Sequence, residues 1–221
     1  MVHVCRTFYP RAPHQMWEIL MNRDTEADED PQTGERDRHV AALLQSADPA
    51  DRIAAARVLG ASGDTEAIPH LLAAFYDPVK EVRAHASAAV AMLGAAAVGP
   101  LIGMLQEPNW MARYRAAEAL SRIGDISAVE PLLRALDDPI DHVRYMSAKA
   151  LGIIGDARAF EPLQRVLRDE NEFVRRSAAI ALWAIGGGKA RPALAEALRC
   201  EECEEVRQTL AEILDVRGSG R

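Results

Sequence analysis

Arg52, Arg83, Arg113, Arg144, Arg175 and Arg207 follow one another at steps of 31, 30, 31, 31 and 32 residues. Pro69, Pro100, Pro131, Pro162 and Pro192 keep the same period, at 31, 31, 31 and 30, and so do Gly63, Gly94, Gly124, Gly155 and Gly186, at 31, 30, 31 and 31. Three ladders of chemically unrelated residues with one period leave few folds open. A supersecondary unit of this length recurs, and each copy must bury its apolar face against its neighbours, as in a solenoid.

The stretch Asp138 to Leu167 states the unit most clearly. Asp138 suits an N-cap and Pro139 a first helical turn, where a missing N–H loses no partner. Val143, Ala150, Leu151 and Ile154 then recur at helical spacing, and Gly155 supplies a left-handed residue to end the helix. A shorter helix follows, with Pro162 in its first turn and Leu163, Val166 and Leu167 facing inward. Applied along the chain, this grammar predicts six helix pairs: 37–45 with 50–60, 66–76 with 79–93, 97–106 with 109–122, 127–136 with 140–153, 158–168 with 171–185, and 189–199 with 203–216. The expected architecture is all-α, a right-handed α-solenoid over 37–216. Each covered leucine or isoleucine contributes about 1.5–3 kcal/mol only once a neighbouring pair is in place. Gly60, Ala91, Ser121 and Gly152 are small where second helices have to approach closely.

The pattern D-P-x-x-x-V-R-x-x-A-A-x-A-L-G-x-I-G-D, nearly intact at Asp138 to Asp156, resembles the HEAT-like repeat named after the phycobilisome lyases. That resemblance implies a ladder in which the repeated arginine meets an acid near a helix junction. Its expected members are Arg83, Arg113, Arg144 and Arg175 with Asp64, Asp125 and Asp156; Ala95 and Gly187 depart from the pattern. The family includes scaffolds, adaptors and enzymes that attach or isomerise bilins on phycobiliproteins, so the fold is implied more sharply than the function. The iron-binding His-Glu dipeptides of the helical-repeat enzyme deoxyhypusine hydroxylase do not occur: His85 and His142 precede Ala86 and Val143.

Charge narrows the partners. A net charge of −7 over 221 residues sets a field that opposes nucleic acid and anionic membranes. No run of apolar residues reaches transmembrane length, Met1 to Leu20 lacks a signal-peptide pattern, and the expected location is the cytoplasm. Three cysteines make no secreted disulfide framework. Cys200 and Cys203 form a single C-x-x-C, a weak metal or redox candidate short of the four ligands of a structural zinc site. Residues 1–22 read as an N-terminal cap or partner motif, with Met16, Trp17, Leu20 and Met21 at helical spacing. Residues 23–36 read as an acidic linker and 217–221 as a tail.

No nucleophile–base ordering or phosphate loop is present, and Gly186-Gly-Gly188 lacks the Lys-Ser/Thr of a P-loop. The expectation is an interaction scaffold with a protein partner and no cofactor. Its contact surface is expected beside the Val-Arg position of the second helices, at Trp110, Met111, Tyr114 and Arg115, Tyr145, Met146 and Lys149, and Phe173 and Arg176. These are residue types enriched at binding hot spots. Trp183 occupies a slot held by Gly, Ala or Ser in other units and should leave a groove or force repacking.

Overall fold

The computed structural model describes Val40 and residues 42–215. The N-terminal segment, the acidic linker and the tail, and with them the third cysteine, Cys5, all lie outside the described residues. Those residues form an all-α solenoid. Its second helices are α1 (Pro49–Ser62), α3 (Lys80–Met92), α5 (Trp110–Ile123), α7 (Asp141–Ile154), α9 (Glu172–Gly186) and α11 (Glu204–Asp215). The shorter first helices are α2 (Ala67–Ala73), α4 (Val98–Met104), α6 (Val129–Ala135), α8 (Phe160–Val166) and α10 (Arg191–Cys200). Of the first predicted helix, Val40, Ala42 and Leu43 are described and helical. No helix among the described residues is long and apolar enough to cross a membrane.

Short 3-10 turns such as Ile126–Ala128 and Ala157–Ala159 lead into the first helices. Gly63, Gly124 and Gly155 close second helices at φ 76°, 74° and 78°, where a Cβ is strained. In the fifth pair the positive φ falls on Gly187 instead of Gly186, because α9 continues one residue further.

Val143, Ala150, Leu151 and Leu163 are fully buried, and with their counterparts they form one core running along the stack. The second helices pack directly on one another from α1 to α11, whereas the first helices share far less contact. Small residues permit this. An added Cβ at Gly60 would lie 2.6 Å from Ala89 Cα, and one at Gly152 2.7 Å from Ala181 Cα. Trp183 lies half-buried against the core.

One core position breaks the repeat. Ser147 aligns with Ala86, Ala116 and Ala178, and its Oγ is buried without a hydrogen-bond partner. A buried unpaired hydroxyl costs on the order of 1–3 kcal/mol. Ser147→Ala is therefore expected to raise the thermal midpoint; a fall in a calorimetric scan would mean the hydroxyl has a partner in solution.

Candidate functional site: the face of the second helices

The arginine ladder fixes how neighbouring pairs sit. Arg113 donates through Nε and Nη2 to the two carboxylate oxygens of Asp138, at 2.7 and 2.8 Å. Arg144 does the same to Asp169, at 2.8 and 2.9 Å. Arg175 grips Glu201 at 2.7 and 2.6 Å, and Arg52 grips Asp77 at 2.6 and 3.0 Å. The remaining arm of each arginine reaches the turn inside its own pair, as Arg144 Nη1 does to the Asp138 carbonyl at 2.9 Å. Asp138 thus accepts from Arg113 with its carboxylate and from Arg144 with its carbonyl, and the same relay runs to Asp169 and Glu201. The ion pair with Arg175 holds the Glu201 carboxyl below its ordinary range.

The acids of this ladder are not the ones expected. Asp125 and Asp156 lie at the far ends of the second helices, where they accept from the backbone of Ser127 and Arg158 and start the 3-10 turns. Asp64 likewise accepts from Glu66 N. Asp138 is not the N-cap of α7, which is Ile140. It sits two residues earlier, accepting from Ile140 N at 2.9 Å, and this leaves its carboxylate able to face Arg113 as well. A periodic signal was available: Asp77, Glu107, Asp138, Asp169 and Glu201 step by 30, 31, 31 and 32 residues.

Arg83 makes only the carbonyl half of the contact, to Asp77 O and Pro78 O at 2.6 and 3.0 Å. Glu107 instead accepts from the Tyr76 hydroxyl at 2.7 Å. Burial, then this bond, pushes the Tyr76 phenol well above its ordinary value.

The ladder leaves the opposite side of each second helix open. Met92, Trp110, Ile153, Phe173 and Ile180, five of the eight large exposed apolar side chains among the described residues, stand there; a sixth, Val58, lies at the first edge of the described stack, in the slot where Ala89 and Ala181 pack on the preceding second helix. Trp110 meets the His142 ring at 5.3 Å, tilted by 54°, linking α5 to α7. His142 also meets Asp141 at 2.7 Å, and Asn171 donates to that carboxylate at 2.6 Å, linking α7 to α9. Met111 and Tyr114 are half-buried on this face, and burial raises the Tyr114 phenol.

Between α7 and α9 the face opens into a groove of about 380 Å³. Tyr145, Lys149 and Ile153 form one wall, Phe173, Arg176, Ile180 and Ala184 the other, and Gly152, Ser177 and Ala181 lie at its base. The structure thus brings Tyr145, Lys149, Phe173 and Arg176 together. It removes Arg115 and Met146 from the open face, at 7% and 4% exposure. Arg115 folds over the Tyr114 ring, 5.2 Å from its centroid, and pairs with Glu118 at 2.6 Å. Ile153, exposed at 58%, belongs to the groove, although nothing in its local pattern separates it from the inward Ile154.

A larger open cleft of about 820 Å³ lies between α8 and α10. Several of its charges are already matched within the chain, Arg168 with Glu196 and Arg175 with Glu201. Cys200 is exposed at the end of α10, and the half-buried Cys203 donates its S–H to Glu205 at 3.1 Å. Among the described residues no group of three His, Cys, Asp or Glu is placed to hold a metal ion.

Residues 37–105 and 98–183 match the family of HEAT repeats, well over half of the chain. The chain is a HEAT-repeat protein. Residues 174–200 of this HEAT-repeat protein also match the PBS lyase HEAT-like repeat. Among solved structures it is similar to the complex of CpcE and CpcF of phycocyanin lyase from Nostoc sp. PCC7120. Identity is 26%, with 68% of this chain and 99% of that one covered and a TM-score of 0.63. A computationally designed armadillo repeat protein for modular peptide recognition matches at 24% identity, covering 80% and 98%, with a TM-score of 0.52. YibA of E. coli matches at 20%, covering 87% and 77%, with a TM-score of 0.60. The last two share the fold. No curated protein matches the chain.

Proposed function

We propose that this HEAT-repeat protein is a non-catalytic interaction scaffold that holds a partner protein against the concave face formed by α5, α7 and α9, in the cytoplasm. The observation that carries this reading is the segregation of exposed apolar side chains. Four of the eight, Trp110, Ile153, Phe173 and Ile180, stand on α5, α7 and α9, where a folded monomer has no use for them. A layer stiffened by the buried arginine ladder presents them at low cost in ordering on binding.

The similarity to a chain of a two-protein lyase complex favours a second reading. In it the chain is one subunit of a bilin lyase or isomerase, or of another accessory enzyme acting on a cofactor-bearing protein.

The test is recovery of tagged full-length chain from its native cells, compared with the Trp110→Ala, Tyr114→Ala, Tyr145→Ala triple variant. A stoichiometric partner present with the parent chain and lost from the folded variant is the expected result. Recovery of the same partner by both forms would remove these residues from the interface. A bound tetrapyrrole, seen by absorbance, would shift the assignment to the lyase subunit.

A further inference from the structure

The cations of α5, α7 and α9 divide sharply. Arg113, Arg144 and Arg175 are locked in the ladder, and Arg115 and Arg122 both pair with Glu118. Among the described residues, two cations on these helices lack a carboxylate within ion-pair distance: Lys149 and Arg176. Both are exposed, and both line the groove between α7 and α9. They face each other across it in a chain with an excess of acids and only three lysines.

Around them the lining is apolar. Ile153 and Phe173 are 58% and 59% exposed, and Ile180 is 50% exposed. Glu118 is taken by two arginines. Glu205 on α11, whose carboxyl the Cys203 thiol chiefly holds below its ordinary range, also feels Arg176, but no ion pair forms. Acidic side chains thus flank the site without neutralising it.

The geometry points to an acidic linear segment of a partner protein as the occupant: a peptide that lays one or more large apolar side chains against Ile153, Phe173 and Ile180 and sets carboxylates on Lys149 and Arg176. This deepens the scaffold reading and rests on it. Apolar anchors give such an interface its residence time, and paired charges give selectivity and approach rate. Arginine grips a carboxylate with two N–H groups, while lysine lays its stem along the apolar wall and keeps its ammonium free. A basic segment would meet two uncompensated cations, and a wholly apolar one would leave both cations desolvated.

The experiment is selection of a phage-displayed random peptide library on the full-length chain, followed by fluorescence anisotropy with the enriched peptides. Enriched sequences are expected to combine a large apolar residue with at least two acids. Lys149→Gln/Arg176→Gln should weaken them about tenfold, as should Phe173→Ala/Ile180→Ala, with unchanged helical circular dichroism because all four side chains are exposed. Added salt should weaken the parent chain and leave the Gln variant nearly unaffected. Selection on Lys149→Glu/Arg176→Glu should turn to basic peptides.

Enrichment of basic or uncharged sequences, or no enrichment at all, overturns the proposal. If acidic peptides ignore these variants but are lost with Trp110→Ala/Tyr114→Ala, two residues outside the groove, the groove assignment falls and the scaffold reading stands. If no variant affects them, both fall. Enrichment of sequences matching residues 13–30 of this chain would make the occupant its own N-terminal segment and overturn the assignment to a partner.

Discussion

Gly152→Leu is expected to lower the thermal midpoint by about 10 °C. The β-carbon alone would lie 2.6 Å from Ala181 Cβ and 2.7 Å from Ala181 Cα, so α7 and α9 have to separate. The obstacle is partly backbone and cannot swing aside as a long side chain would. Overpacking at a fixed interface costs about 1–3 kcal/mol and occasionally more. A leucine on a backbone-to-backbone contact belongs at the upper end, and for an array of this size each kcal/mol shifts the midpoint by about 2–4 °C.

Because a solenoid is stabilised by nearest-neighbour interfaces, the loss falls on the α7–α9 step and not evenly over the stack. The melt should broaden, with the fifth and sixth pairs unfolding ahead of the rest, and hydrogen exchange in α9 and α11 should rise first. Gly103→Ala in α4 is the control. A Cβ there meets nothing within 4 Å, so the better helix propensity of alanine should leave stability equal or slightly raised. If Gly152→Leu melts together with the parent chain, the close approach of α7 and α9 is not what sets their spacing. Gly152 also lies at the base of the groove, so the same change should abolish peptide binding even at temperatures where the chain stays folded.

The fold was legible because its determinants are local and repeated. A left-handed glycine, a proline in a first turn and an apolar stripe each act within a few residues, and a 31-residue period multiplies the signal. The site was legible only in part, because membership in a face depends on a rotation of about 100° per residue. Tyr114 and Tyr145 sit on the open side, while their neighbours Arg115 and Met146 turn into the stack. That second position varies widely from unit to unit, with His85, Arg115 and Met146 in equivalent places. The structure shows why: the slot accepts an exposed His85, a Met146 packed between helices, or an Arg115 folded onto Tyr114 and Glu118. Ile153 and Ile154 are equivalent by composition, and only packing separates the outward one. The ladder acids are ambiguous in the sequence for a related reason. Turn aspartates at both ends of a second helix repeat with the same period, and only the tertiary arrangement shows that Asp138 and Asp169, not Asp125 and Asp156, lie beside the arginines.

Arg144→Ala is the second large loss, and it separates the ladder from ordinary surface ion pairs. Arg144 and Asp169 retain only 10% and 11% of side-chain exposure, and two parallel N–H···O bonds join them. That interaction raises the Arg144 guanidinium above its ordinary value. Removing one partner of a buried pair costs about 3–5 kcal/mol, mostly by stranding the other charge. Truncation also frees the Asp138 carbonyl, so two inter-helix turns lose their brace at once. An exposed contact such as Arg168 with Glu196 is instead expected to contribute less than about 1 kcal/mol. Urea unfolding of Arg144→Ala, Asp169→Asn and the double variant should give a coupling of about 1–3 kcal/mol, because Asp169→Asn relieves the stranded charge. Additive losses would show that the two residues act separately. In that case the ladder would be a consequence of the stacking and not a cause of it, and the rigidity of the α5–α9 face would rest on the apolar core alone.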